Sequence, residues 1–348
     1  MSFRSLALAA LITAAAPGLA LAQGPAYHAP HNALGQPDLE GVWTNATITP
    51  LTRNPQYGDR NVMTKAEADA AEAATRAQVA RADAPTPPTL KVTELKNADC
   101  GPDGISGFNC GYNQGWKDPG TKVIDINGEK RASILVSPKD GRFPPMTQEA
   151  QARMRARMAA MRNNYDGPEA RAPSERCLVA FGSSSGPPML PVMYNNNYQI
   201  VQTKDEVVIL VEMVHDARHI RLGGTHPPSS VRLWMGDSIG HFEGDTLVVE
   251  TTNLRADDTF RGGSPDEKVI ERFTRIAPNK ILYRFTIEDP ATYTQPVTGE
   301  MSFNPAKGQV YEYACHEGNY ALPSILAGAR RAEKDGKTFA PGGGDEGN

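Results

Sequence analysis

The sequence predicts a mainly β fold: an antiparallel meander that closes into a barrel, with two N-terminal helices packed outside it. Three observations carry this expectation. From Tyr198 onward apolar residues alternate with polar ones, the pattern of strands with one buried face. Val, Ile, Thr, Tyr and Phe crowd the same stretch, and these types suit a pleated surface. Turn signals such as Lys204-Asp205, Gly223-Gly224, Pro278-Asn279 and Lys307-Gly308 cut it into short, closely spaced segments. A sheet of many short strands must protect its edges, and closure removes them.

In chain order, residues 1–22 read as a secretory signal peptide. Arg4 supplies positive charge, Leu6 to Ala16 is apolar, Pro17-Gly18 breaks the run, and Ala20-Leu21-Ala22 forms a small-residue cleavage site before Gln23. The apolar run is too short to anchor in a bilayer core of roughly 30 Å. Residues 23–38 read as a flexible leader, and a single β-rich domain is expected over 39–334. In that domain Val42-Trp43-Thr44 suits a first strand. Thr64 and Glu67 form a capping box that opens an Ala-rich helix near 64–82, ended by Pro85, Pro87 and Pro88. Asn127-Gly128 is a strong hairpin turn between strands Lys122–Ile126 and Arg131–Val136. Pro144, Pro145 and Thr147 introduce a second helix near 148–162, whose Met154, Met158 and Met161 recur at helical spacing and suit packing.

The barrel is expected mainly over 198–315. Its strands read as Tyr198–Thr203, Val207–Val214, His219–Leu222, Val231–Met235, Thr246–Thr252, Val269–Arg275, Ile281–Glu288, Val297–Phe303 and Val310–Cys315. In the seventh of these Ile281, Tyr283, Phe285 and Ile287 share one face, and Leu282, Arg284, Thr286 and Glu288 the other. The sequence leaves open which face points inward. Pro323 to Arg331 reads as a short helix, and the Gly-rich residues 335–348 as a disordered tail.

Composition narrows the function. The chain carries 36 basic and 40 acidic residues and no basic tract, which argues against a nucleic-acid partner. No later segment is apolar for long enough to be a membrane-spanning helix. All four cysteines follow the signal segment, which fits disulfides in an oxidising compartment. Three pairings are possible. Cys100–Cys110 is favoured because the glycine-containing segment between them can close on itself, which leaves Cys177–Cys315. Zinc held by cysteine is disfavoured, because no Cys-x-x-Cys pair occurs.

Several constellations could carry chemistry. Glu212, His215 and His219 are ligand types for a divalent metal, and they are the metal alternative here. The run before them is strongly β, however, and a strand puts positions three apart on opposite faces. Without a metal, His215 and His219 are candidate proton carriers, and Arg218 or Arg221 could stabilise developing negative charge. Tyr311 to Tyr320 is dense in polar groups. His316 beside Glu317 suits a general base, Asn319 and Tyr320 suit ligand contacts, and Cys315 is expected in a disulfide. Tyr194 to Tyr198 offers amides flanked by phenols, with Asn196 and Tyr198 as ligand contacts. Trp234 is a further candidate ligand contact. Met235 to Thr246, with its glycines and acids, reads as turn chemistry and lacks the Lys-Ser/Thr of a phosphate loop. No Gly-x-Ser-x-Gly elbow is present, so ordinary serine-hydrolase chemistry is unsupported.

Ser137-Pro138-Lys139-Asp140-Gly141-Arg142, Met235-Gly236-Asp237-Ser238, Glu243 to Val249 and Tyr311 to Tyr320 resemble segments of a large family of exported proteins from soil and aquatic bacteria. The resemblance runs from about residue 35 to 331 and differs at Phe242, where family members often carry Trp. It implies export and fold and brings no chemistry with it. The strand pattern is also loosely similar to lipocalin-like barrels, and such a likeness does not fix function. The expected function is an exported cavity protein, read first as an acid–base hydrolase, lyase or isomerase without a cofactor. Its substrate would be a small plant-derived aromatic or carbohydrate compound. The alternatives are a non-catalytic, lipocalin-like small-molecule binder and a metal-dependent enzyme.

Overall fold

A computed structural model describes residues 27–83, 117–161, 164–214 and 216–337. The expected signal segment, Cys100, Cys110, His215 and the tail from 338 lie outside the described residues. Nine strands close into a barrel. They are β1 (Gly41–Thr44), β6 (Asn197–Gln202), β7 (Glu206–Val211), β8 (Ala217–Leu222), β9 (Asp237–Glu243), β10 (Thr246–Thr252), β11 (Lys268–Ala277), β12 (Lys280–Glu288) and β13 (Val297–Pro305). Their spatial order is the order given, and β1 closes the ring by pairing with both β6 and β13. A short strand, β5 (Leu135–Ser137), pairs with β13 at Thr298 and Gly299, on the same edge that takes β1 at Asn304 and Pro305. A separate three-stranded sheet holds β2 (Val62–Met63), β3 (Asp125–Ile126) and β4 (Glu129–Arg131). The hairpin turn between β3 and β4 is the expected Asn127-Gly128, with φ of 52° and 84°.

The expected antiparallel meander needs three corrections. β8 and β9 are parallel (Ile220↔Ser238 to Leu222↔Gly240), and residues 223–236 provide the long connection that parallel neighbours require. β9 falls where the sequence reads as turns, and it pairs with β10 from Asp237↔Thr252 to Glu243↔Thr246. Its Gly240 has no room for a side chain, because a Cβ would lie 2.8 Å from Ile220 Cγ2 across the parallel pair. The segments Val231–Met235 and Val310–Cys315 form no strands. Leu233 makes only an isolated bridge to Leu254. The Tyr311 amide donates to the Glu212 carboxylate rather than to a neighbouring strand.

Helix α1 (Lys65–Ala82) opens on the expected capping box. Thr64 Oγ1 accepts from the Glu67 amide at 3.2 Å, and Glu67 Oε2 accepts from the Thr64 amide at 2.7 Å. Glu72 is buried and ties the helix to Lys122 at 2.6 Å. Helix α2 (Gln148–Met161) buries only Ala150; its Met158 is 66% exposed, so the methionine stripe is not core packing. Helix α3 (Ala321–Lys334) ends the described chain. No helix among the described residues is long and apolar enough to cross a membrane. Residues 31–38 are tied to the barrel by Gln202 Nε2 donating to the Pro37 carbonyl (3.1 Å) and by Arg275 beside Asp38 (3.1 Å).

The apolar face of β12 points inward: Ile281, Tyr283, Phe285 and Ile287 are fully buried. Their rings meet Phe273 of β11 and Phe303 of β13 at centroid distances of 4.9 and 5.3 Å from Tyr283, and Tyr198 stacks on Phe303 at 5.3 Å. The Phe285 ring occupies the space a side chain at Gly299 would need, with Cζ 2.3 Å from the ideal Cβ position. This barrel is filled by its own side chains in the manner of small barrels. One ion pair shares that interior. Arg218 Nη1 and Nη2 grip Glu271 at 2.8 and 2.5 Å, Tyr283 donates its hydroxyl to Glu271 at 2.7 Å, and the Met189 amide donates to Tyr283 at 2.9 Å. Burial disfavours the Arg218 charge, but the Glu271 charge and hydrogen bonds outweigh it and hold the guanidinium pKa above its ordinary value.

Candidate functional site

Since side chains fill the barrel, ligand space lies among the connections. A groove of about 1430 Å³ opens where the chain entering β6, the chain leaving β7 and the chain following β13 meet. Three separately read sequence clusters thus form one wall. Tyr194 and Asn195 come from the first segment, Glu212 from the second, and Tyr311 to Cys315 with Asn319 from the third. Lys117, Asp118, Ser174, Glu175 and Cys177 complete the lining.

Each segment has a local reason for its place. Asn195 turns the chain with a left-handed φ of 54°, which Asn tolerates better than most residues. Asn196 latches that turn: its Oδ1 accepts from the Val192 amide (2.8 Å), and its Nδ2 donates to the carbonyls of Asp118 (2.7 Å) and Val192 (2.8 Å). Glu212 is buried and ties the two other segments together, accepting from Asn197 Nδ2 (2.7 Å) and from the Tyr311 amide (3.1 Å). The Cys177–Cys315 disulfide, the pairing expected from the sequence, staples the third segment to the chain at Cys177, and both cysteines line the groove. Asn319 reinforces it by donating to the Glu175 carbonyl at 2.8 Å. We expect non-reducing peptide mapping to recover Cys177 and Cys315 in one linked pair; a free thiol at either position would contradict the structure.

The groove is aromatic and acidic. Tyr194 and Tyr313 stack with centroids 6.5 Å apart and planes 4° apart, and Phe181 meets Tyr194 edge-on at 5.5 Å. The charged residues of the lining are Asp118, Glu175, Glu212 and Glu312 against Lys117. Such a wall offers flat ring surfaces and hydrogen-bond acceptors, and it repels anions.

The residues singled out from sequence are spread over several places. His316 and Glu317 are exposed in the turn between Cys315 and Gly318, both of which line the groove. Asn319 lines it, while Tyr320 faces solvent with 78% exposure. His219 is on the outer face of β8, 2.5 Å from Glu206, and lines neither this groove nor the cleft described below. His219 and His316 therefore do not share either cavity. Tyr198 lies inside the barrel, donating its hydroxyl to the Ser184 carbonyl (2.9 Å) and accepting from Asn45 (3.1 Å). Arg218 is committed to Glu271 in the barrel interior. Arg221 pairs with Asp237 at 2.6 Å, and Trp234 lies 4.3 Å beneath the Arg255 guanidinium. Among the described residues no cluster of three or more His, Cys, Asp or Glu is arranged to hold a metal; His215, a member of the expected set with Glu212 and His219, lies outside them. Asn195, Asn197, Tyr311, Glu312 and Tyr313 also line the groove, and in the sequence only the polar density of their segments marks them. Nothing local marks Asp118 or Glu175.

No family model matches the chain, and no curated protein matches it. Among solved structures, a variant of the fluorescent protein UnaG is similar over 32% of this chain and 72% of that chain, at 17% identity and a TM-score of 0.21. An overlap that slight carries no argument. The β-barrel rests on the strand pairing itself, and it is an architecture compatible with small-molecule binding.

Proposed function

We propose that the protein binds a neutral, polyhydroxylated small molecule in the Tyr194–Tyr313 groove. The observation that carries this reading is the parallel tyrosine pair set among Asn195, Asn197, Asn319 and Glu312 in an acidic wall. Ring faces suit the C–H faces of a sugar or a phenol, and amides and carboxylates suit its hydroxyls. The exclusion of anions follows from the charge of the lining. In a calorimetric titration with cellobiose, xylobiose and the phenolic glucoside salicin, at least one should bind saturably. Tyr313→Ala should weaken it about tenfold, the scale of one lost aromatic contact. Absence of saturable binding for all three, or unchanged affinity in the variant, would defeat the reading.

One observation favours acid–base turnover of the same ligand. The disulfide pins the turn that carries His316 and Glu317 beside the groove, and a histidine next to a carboxylate is a suitable general base. With a turned-over substrate in hand, His316→Ala is expected to slow the reaction about a hundredfold while leaving the thermal midpoint nearly unchanged. Turnover at the wild-type rate would remove this second reading.

Export is part of the same proposal. It is supported by the grammar of residues 1–22 and by a disulfide that needs an oxidising compartment. Mass spectrometry of the mature protein should find Gln23 as the first residue, and recovery only of Met1-containing chain from the cytoplasm would refute it.

A further inference from the structure

Beyond Ser174, which borders both cavities, a second cleft of about 580 Å³ lies between α2, the loop 179–187 and the loop 256–265. Its volume is in the range that holds drug-sized ligands. Its chemistry is opposite to that of the groove. Arg153 and Arg157, one helical turn apart on α2, line it together with Arg261. None of the three forms a salt bridge with a carboxylate among the described residues, whereas Arg218, Arg221 and Arg272 all do. Arg157 donates only to the backbone carbonyls of Ala256 (3.2 Å) and Asp257 (3.1 Å). Arg153 Nη2 donates to Thr292 (2.7 Å), and its Nε is buried without a partner. The Arg261 guanidinium lies 4.7 Å over the Phe143 ring.

The backbone is also unusual at this cleft. Arg261 has a left-handed φ of 51°, and Met235, which also lines the cleft, has one of 59°. Non-glycine residues take that conformation at a cost, and such residues cluster at ligand clamps. The lining also has apolar side chains, Met154, Met158, Phe181, Pro187 and Phe260. The acids nearby do not cancel the guanidiniums. Asp257 pairs with Arg255 at 3.1 Å. Asp258 accepts from the Met235 amide (2.8 Å), and burial above all, with the charges of Asp216 and Asp257, lifts its carboxyl to about 6.

We propose that this cleft is a second ligand site, distinct from the groove, that takes a small aromatic carboxylate. The carboxylate would meet the guanidiniums of Arg153, Arg157 and Arg261, whose planar donors match it. The ring would lie against the methionines and Phe181, where polarisable thioethers meet aromatic edges favourably. The two sites then sort ligands by charge, neutral in the acidic groove and anionic in the basic cleft.

The test is a calorimetric titration of the full chain with cinnamate and with neutral cinnamyl alcohol. It is run below the value of about 6 to which Asp258 is lifted, so that this carboxyl is mostly neutral. Cinnamate should bind saturably and the alcohol at least tenfold more weakly. Arg153→Met with Arg157→Met should remove at least tenfold of the cinnamate affinity, and Tyr313→Ala, which touches only the groove, should leave it unchanged. Absence of saturable cinnamate binding, or equal binding of acid and alcohol, overturns the proposal without any variant having to fold. Unchanged affinity in a folded double arginine variant overturns it as well. Loss of cinnamate binding in Tyr313→Ala would assign the ligand to the groove and overturn the separate site. Because the groove is probed with neutral sugars, either site can fail while the other stands.

Discussion

Glu271→Ala is expected to cost about 3–5 kcal/mol of folding stability, because it strands the Arg218 charge inside the barrel. Both members of that pair are fully buried, and Glu271 takes both guanidinium nitrogens as well as the Tyr283 hydroxyl. Removing the carboxylate leaves three donors without their acceptor among aromatic rings, far from water that could replace it. Replacing both partners together, Arg218→Met with Glu271→Leu, should recover most of the loss, since the cost of a broken pair is mainly that of the orphaned charge. Denaturant unfolding checks both statements. A single variant within about 1 kcal/mol of wild type would mean that the barrel admits water to Arg218.

The second large effect concerns pH. Glu267 is completely buried beside the cleft; its Oε1 accepts from the Phe260 amide at 2.8 Å, and its Oε2 has no partner. Burial first, and then the nearby charges of Asp289 and Asp258, lift its carboxyl from an ordinary 4.5 to about 8. The folded chain therefore holds a proton at neutral pH that the unfolded chain releases. Its contribution to stability is complete below about 4.5 and is lost as pH rises through about 8. Asp258, lifted to about 6, acts in the same direction over a narrower window. Glu267→Gln cannot ionise and keeps the shape. It is expected to raise stability near pH 8 by about 4 kcal/mol and to flatten the decline between about pH 5 and pH 8. Thermal midpoints across that range decide it, and parallel curves for the two proteins would show that Glu267 is not the titrating group.

Much of the barrel was legible because alternation survives wherever a strand has one wet face. In β12, Ile281, Tyr283, Phe285 and Ile287 alternate with mostly polar residues, and all four point inward. β9 was illegible for the opposite reason. Its inward positions include Ser238 and Gly240, chosen for close packing against Ile220 and for a hydroxyl pair with Thr251 (2.8 Å), so no apolar period exists to be read. Val310–Cys315 has strand-like composition, but its backbone is claimed by a side chain and its end by a disulfide. The site was legible only in pieces. Tyr194 and Tyr313 are far apart in sequence, and only barrel closure places them in one wall. Arg218 stood out as a free cation in the sequence, and its partner Glu271 lies in a strand where a lone acid looks like a surface residue. The basic cleft was hidden altogether. The methionine stripe of α2 reads as core, and the guanidiniums between those methionines gain meaning only when the Arg261 loop lies opposite.

The way the ring closes has a kinetic consequence. β1 is the earliest barrel strand in the chain, yet its partners are near the middle and the end: Trp43 faces Tyr198 on one side and Pro305 on the other. No hairpin can nucleate that pairing, and loop-closure entropy must be overcome before either contact offers any return. The chain should therefore fold slowly for its size, with the β6 edge and the Asn304–Pro305 end of β13 unpaired until β1 has found both. Until then those edges are open to other chains, and the protein is most prone to aggregate just before the ring is complete.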